Sequence, residues 1–148
     1  MQRYKTPLFE PQIGSEEKKY VLDCIESNWI SSKGKYIEKF EKRFSNFIKS
    51  KYSITVNNGT AALHIALLAL GIKKGDDVIV PSFTYIAPVN AINYVGANVV
   101  FIDSKVETCQ LDETKLEKMI SKKTKAVIVP HLYGQMSEIK EIKKICDK

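Results

Sequence analysis

Tyr52-Ser-Ile-Thr-Val56, Asn57-Asn58-Gly59-Thr60 and the segment from Ala61 to Leu70 form the stretch that decides the fold. An apolar, β-branched run feeds a short polar turn, and the turn opens into an apolar helical segment. This is the pattern of a buried strand, a loop and a helix N-terminus. A helix N-terminus presents unpaired N–H groups and a partial positive charge, which together suit a phosphate. Gly59 lets a ligand approach the backbone, and Thr60 adds a hydroxyl that can donate to a phosphate oxygen. Two readings stand side by side: a phosphate cradle, or a plain strand-to-helix connection with a threonine cap.

Downstream the same alternation repeats. Gly71 and Gly75 bracket a helix end and a turn, and Val78-Ile-Val80 reads as a short buried strand ending at Pro81-Ser82-Phe83-Thr84-Tyr85. Thr84 is a candidate cap for a helix carrying Ala87 to Val95, with Pro88 tolerated in its first turn. Asn98 to Asp103 is the next strand. A helix follows that begins near Leu111, is capped by Asp112 and runs to about Lys122. Lys125 to Pro130 is another strand, then come His131-Leu-Tyr-Gly-Gln135 and a basic amphipathic helix from Ser137. Strands alternating with helices at this spacing predict crossover connections and an α/β fold, a mainly parallel sheet flanked by helices. Strands this short and apolar fit burial on both faces.

Upstream the pattern is different. Pro7, Pro11 and Gly14 make residues 1–14 an irregular arm. Ser15 is expected to cap a helix to about Asn28, with Glu16 and Glu17 complementing its dipole. Trp29-Ile-Ser31-Ser32-Lys-Gly34 reads as a turn. A second amphipathic helix carries Tyr36, Ile37, Phe40, Phe44, Phe47 and Ile48 at three- and four-residue intervals, which reads as core or subunit contact. The expected organisation is an arm with two helices over residues 1–50, and an α/β segment over 51–148.

Composition bounds the function. The chain has 148 residues, 44% hydrophobic and 27% charged, enough for a domain with a real core. No apolar run approaches a membrane span and Met1 to Pro7 lacks a signal-peptide core, so no membrane association is expected. Cys24, Cys109 and Cys146 are far apart without CxxC spacing; a disulfide framework or zinc site is not expected, and a reducing cytoplasm fits. The net charge of +6 comes from lysines interleaved with glutamates on helix surfaces, so no nucleic-acid partner is expected.

In open α/β sheets, ligands bind beyond the carboxyl ends of the strands. Those ends here carry Asn57 to Thr60, Pro81 to Tyr85, Asp103-Ser104 and Pro130 to Gly134. A phosphate grip with an aromatic plate suits a flat phosphorylated heterocycle. His64, within an apolar helix, reads as packed, and Asp103 as a capping or pairing residue. Neither GxGxxG nor GxxxxGK[ST] is present.

Several of these motifs carry a resemblance. Trp29-Ile-Ser-Ser-Lys-Gly-Lys-Tyr-Ile-Glu38, Asn57-Asn-Gly-Thr-Ala-Ala-Leu-His64, Gly75 to Tyr85, Ala91 to Ala97 and His131 to Gln135 resemble, in order, the DegT/StrS sugar aminotransferases. These are fold-type I enzymes dependent on pyridoxal 5′-phosphate. The perosamine-synthase-like members, which aminate C4 of a nucleotide-linked 4-keto-6-deoxyhexose with glutamate as donor, are the nearest in pattern. The resemblance implies the first part of a fold-type I large domain. It also implies that Gly59, Thr60 and the Ala61 amide hold the cofactor phosphate and that Tyr85 stacks on the pyridine ring. Trp29, Ser31, Ser32 and His131 would face the sugar nucleotide, and the site would form in a homodimer.

The family also uses an aspartate after a later strand, paired with the pyridine nitrogen, and a lysine further on that forms the Schiff base with the cofactor. No lysine here matches that motif, so the Schiff-base lysine is expected beyond Lys148 and no catalytic residue is assigned within the chain. Asp147 is not assigned to the pyridine nitrogen, because the apolar strand that should precede such an aspartate has not begun. The chain therefore reads as the N-terminal segment of a longer enzyme, inactive alone. A free-standing phosphate- or nucleotide-binding α/β domain is the alternative.

Overall fold

The structure, a computed structural model, describes residues 10–148. The chain forms two compact units, one extending through Thr55 and one beginning at Val56.

In the first unit, residues 10–14 are irregular, as expected for the arm, and the rest of that arm lies outside the described residues. Helix α1 spans Ser15–Glu26 and helix α2 spans Lys35–Ile48. Ser15 is the first residue inside α1 rather than its cap. The Gly14 N–H instead donates to Glu17 at 2.8 Å, so an acidic side chain of the first turn satisfies the entering backbone. Asp23 links the helices: it accepts from the Tyr36 hydroxyl at 2.8 Å and pairs with Lys35 at 2.6 Å. These two donors, Lys35 first, hold its carboxyl below the usual aspartate range.

The aromatic stripe of α2 does not form a core within this unit. Phe40 and Phe44 stack with centroids 5.6 Å apart, yet Phe44 is 43% exposed and Phe47 83%. Val21 and Ile25 of α1 are exposed as well. Between the two helices runs an apolar groove of about 470 Å³, with Tyr20, Val21, Ile25 and Phe40 among its walls.

The expected strand over Tyr52–Val56 is not one: these residues have no regular structure. A strand exists only as one side of a ladder, and no described strand pairs with this segment. It is pinned by a side chain instead. Glu41 accepts from both the amide and the hydroxyl of Thr55, each at 2.8 Å. Those bonds, the amide first, lower the Glu41 carboxyl below the ordinary glutamate value. A depressed carboxylate stabilises the fold above its unfolded pKa, and the contribution is lost as pH falls through the lower, folded value. Acidification below about 4.5 is therefore expected to loosen Thr55, seen as faster amide exchange there, and Glu41→Gln should flatten that pH dependence.

In the second unit, helix α3 (Gly59–Ala69) leads to strand β1 (Asp77–Pro81), helix α4 (Ile86–Tyr94) and strand β2 (Asn98–Ile102). Helix α5 (Glu113–Met119), strand β3 (Thr124–Val127), a 3-10 turn at Leu132–Gly134 and helix α6 (Ile139–Cys146) complete it. The strands form one parallel sheet in the order β2-β1-β3. Leaving β2, the chain therefore passes over β1 to reach its other side.

Alternation along β1 decides the layers. Val78 and Val80, fully buried, point to one face, where they meet Leu67 of α3, Ile72 just after it, and Ala91 and Ile92 of α4. Ile79, between them, points to the other face and packs with Ile102, Leu111, Leu116 and Ile142. Side-chain period 2 on a strand covered on both faces gives this three-layer arrangement.

Helices α3 and α4 end alike. Gly71 (φ 74°) follows α3 and Gly96 (φ 73°) follows α4. In each case the next amide reaches back to close the helix, Ile72 N–H to Leu67 O at 3.1 Å and Ala97 N–H to Ile92 O at 3.2 Å. This is the Schellman closure. Its left-handed residue favours glycine, and the flanking apolar pair of each closure is buried in one cluster.

Candidate functional site

The polar turn enters α3 as a capped helix N-terminus. Asn58 is the N-cap, and its Oδ1 accepts from the Ala61 amide at 2.8 Å. Two expectations change. The cap is Asn58 rather than a threonine, and the Ala61 amide, expected to bind phosphate, is occupied by that cap. The amides of Gly59 and Thr60 have no partner among the described residues. No acidic residue lies in the first turn of α3 to oppose an anion. Gly59 is not in a left-handed conformation, and a Cβ added there would meet no atom within 4 Å, so open space lies over the turn.

Connectivity sets the direction of this N-terminus. Residues 70–76 join the end of α3 to the amino end of β1, while Leu63 and Leu67 lie against the Val78–Val80 face. The helix therefore runs back along the sheet, and its N-terminus projects toward the carboxyl ends of the strands. Two free amides, a hydroxyl and a helix dipole without an opposing carboxylate are a donor set that fits a phosphate group. Asn58→Ala removes the cap and is expected to destabilise the domain by about 1 kcal/mol in urea unfolding.

Past β1, the expected cap of α4 is replaced. Tyr85 occupies the N-cap position without a side-chain bond, and the residue is 70% exposed. Thr84 Oγ1 is buried with no partner among the described residues. The register places Thr84 one step outside the helix start, too early for its hydroxyl to serve as cap.

Past β3, His131 is exposed and its Nδ1 accepts from the Ser137 amide at 3.2 Å. This loop is organised by Gln110, only 4% exposed and unremarked in the sequence. Gln110 Nε2 donates to Thr108 O at 3.2 Å and to Leu132 O at 3.1 Å. Its Oε1 accepts from the Leu132 amide at 3.2 Å and lies 3.2 Å from the Ser137 hydroxyl. Nothing in a single sequence marks a glutamine between a strand and a helix as the hub of a distant loop.

His64 packs edge-on to Tyr94 at 5.4 Å, and Asp103 pairs with Lys115 at 2.7 Å, as read from the sequence. The last two residues also have structural roles. Asp147 is the C-cap of α6, and the exposed Lys148 ammonium pairs with Glu117 of α5 at 2.8 Å. That ion pair holds the Glu117 carboxyl below its ordinary range. Lys148 thus engages a carboxylate on the helix layer, and neither residue belongs to the donor set at α3. Trp29, Ser31 and Ser32 belong to the first unit. There Trp29 is 57% exposed, the Ser31 hydroxyl accepts from the Lys33 amide at 3.3 Å, and Trp29 and Ser31 both line a small cleft of about 120 Å³.

In a parallel α/β sheet, a capped helix N-terminus directed to the carboxyl edge lies where ligands of this class of fold bind. The chain belongs to the DegT/DnrJ/EryC1/StrS aminotransferase family, whose pattern matches residues 11–148. The GDP-perosamine synthase of Escherichia coli O157:H7 is 52% identical over 136 residues, covering 92% of this chain and 37% of that protein. That of Vibrio cholerae is 49% identical over 142 residues, covering 96% and 39%. The solved GDP-4-keto-6-deoxy-D-mannose-3-dehydratase of E. coli, with bound hydrated PLP, superposes with a TM-score of 0.86 at 27% identity, over 95% of this chain and 38% of that one. The chain thus spans less than two fifths of the length of these relatives. Its α/β unit is the first part of a fold-type I large domain, as the motifs imply.

Proposed function

We propose that this chain supplies the cofactor-phosphate part of a pyridoxal 5′-phosphate enzyme that moves an amino group from glutamate to a nucleotide-linked 4-keto-6-deoxyhexose. The observation that carries the proposal is the N-terminus of α3, with its unpartnered Gly59 and Thr60 amides. The family match across nearly the whole chain supports the cofactor. Identity near one half to the two perosamine synthases, against 27% to the dehydratase, favours amination over dehydration.

When bound, the cofactor supplies an electron sink for the carbon whose C–H bond is broken. The residues of this chain hold and orient it. Gly59 and Thr60 grip the phosphate through their amides and the Thr60 hydroxyl. Asn58 keeps the helix end in shape by engaging the Ala61 amide. Tyr85, exposed beyond β1, offers a ring face for the pyridine. Trp29, Ser31, Ser32 and His131 are assigned to the sugar-nucleotide side, and the division into residues 1–50 and 51–148 belongs to the same reading.

The reading includes association as a homodimer, and the exposed apolar faces of α1 and α2 support it as a candidate interaction surface. Among the described residues no helix is long and apolar enough to cross a membrane, and a cytoplasmic location suits its free cysteines.

Incubating residues 1–148 with pyridoxal phosphate, glutamate and a GDP-linked 4-keto sugar should give cofactor binding without transamination. In this reading no residue of the chain is assigned as the reacting lysine or as the pyridine-nitrogen partner. Sustained amino-sugar formation by the chain alone would refute that division of labour. Thr60→Val is expected to weaken pyridoxal phosphate binding roughly tenfold, the worth of one hydrogen bond to a charged group.

A further inference from the structure

We infer that Gln110 is the positioning residue of the loop beyond β3, and that by holding this loop it fixes which nitrogen His131 presents outward. The inference rests on the reading that the carboxyl edge of the sheet carries the ligand site.

Each polar atom of the Gln110 amide has partners, the Ser137 hydroxyl being shared with Pro130 O at 3.3 Å. A primary amide has two N–H donors and two acceptor lone pairs. Here the donors go to Thr108 O and Leu132 O, and the acceptor faces the Leu132 amide and the Ser137 hydroxyl. The Leu132 N–H fixes the orientation, because the flipped amide would set donor against donor. Both backbone groups of Leu132 are therefore held by one side chain from the β2–α5 connection, 22 residues away. Burial to 4% exposure strengthens these bonds and makes each one costly to leave unmade.

What this grip holds is a costly conformation. Tyr133 sits at φ 56°, ψ 28°, in the left-handed region that non-glycine residues avoid, and Gly134 follows at φ 78°. Such residues persist where the surroundings over-determine them, and they cluster at functional sites. The same fold of the loop brings the Ser137 amide to His131 Nδ1. A backbone N–H can only donate, so Nδ1 is the acceptor in this bond, and the imidazole that makes it offers Nε2–H as its single donor. An imidazole locked in this tautomer can donate to a hydroxyl or phosphoryl oxygen of a ligand at the strand ends and cannot accept from one at Nε2.

The test uses the intact chain and two readouts. The chain has only two histidines, so His64→Gln assigns the imidazole signals in two-bond proton–nitrogen correlation spectra. With Gln110 in place, His131 should show Nε2–H with a hydrogen-bonded Nδ1. In Gln110→Met, of similar size but without amide groups, Nδ1 should move to the position of an unbonded nitrogen. The Leu132 and Ser137 amides should then exchange about tenfold faster relative to those of β1. Normalising to β1 separates loss of the loop from loss of the fold. If Gln110→Met does not fold, Ser137→Ala removes the hydroxyl that lies against Gln110 Oε1 and Pro130 O, keeps the Ser137 amide, and should speed the Leu132 amide roughly two- to threefold while His131 keeps its tautomer. Unchanged His131 nitrogens and unchanged relative exchange in Gln110→Met, or in its absence an unchanged Leu132 rate in Ser137→Ala, would overturn the inference. Failure of phosphate binding at Thr60 would leave these spectra as they are, so the two readings fail separately.

Discussion

Thr60→Glu should leave the protein folded, or slightly more stable, and nearly abolish binding of pyridoxal phosphate. The two effects have opposite signs because one physical feature, the positive end of α3, drives both. A carboxylate in the first turn of a helix interacts favourably with the dipole, by about 0.3–1 kcal/mol. The first turn of α3 has no acidic residue, so nothing offsets that gain. The same carboxylate would occupy the place of the phosphate and repel it, and the threonine hydroxyl would be gone. Loss of a hydrogen bond to a charged group is worth about 1.5–3 kcal/mol, and like-charge repulsion adds to it, so affinity should fall roughly 100-fold or more. Urea unfolding and cofactor titration on one sample read the two effects. Equal losses of stability and binding would point to a damaged helix instead of a repelled ligand.

The largest stability effect is expected at Ile79. It is fully buried at the centre of the middle strand and is the contact of β1 with the α5–α6 side of the sheet, packing with Ile102, Leu116 and Ile142. Its neighbours Val78 and Val80 face the opposite layer and cannot collapse into the space it would leave. Ile79→Ala should therefore cost about 2–5 kcal/mol, near the upper end of that range. A domain of this size has roughly 5–15 kcal/mol in total, so a lowered urea midpoint with an unchanged slope is the expected signature. A cost below about 1 kcal/mol would mean that the two faces of the sheet are not separately packed.

The α/β alternation can be read from the chain because local signals and burial agree there. Val78 to Val80 and Asn98 to Ile102 are short apolar runs, and each lies between glycine turns or polar connections that punctuate it. Asp112 is legible as a cap since its side chain acts on the residue two positions on, at 3.1 Å. Tyr52 to Val56 carries an equally good strand pattern, but pairing is a property of a neighbour rather than of the segment itself. Thr84 fails as a cap by a single residue of register, below what propensity resolves. The cradle is visible as a turn with Gly59 and Thr60. The occupation of the Ala61 amide by Asn58 is not, because the choice between capping a helix and binding a ligand depends on a side-chain rotamer. Gln110 is invisible for a stronger reason: its partners in the loop lie 22 and 27 residues away. The pairing of Lys148 with Glu117, 31 residues apart, is hidden in the same way.

The claim at the centre of this account is that the phosphate, rather than the ring, is what residues 57–60 recognise. Amide proton–nitrogen spectra of residues 1–148, titrated in parallel with pyridoxal phosphate and with pyridoxal, test it most directly. The account predicts saturable shifts of the Gly59 and Thr60 amides with the phosphorylated compound and little movement with pyridoxal at equal concentration, while the Ala61 amide stays bonded to Asn58. Equal shifts with both compounds, or no response at Gly59 and Thr60, would contradict it.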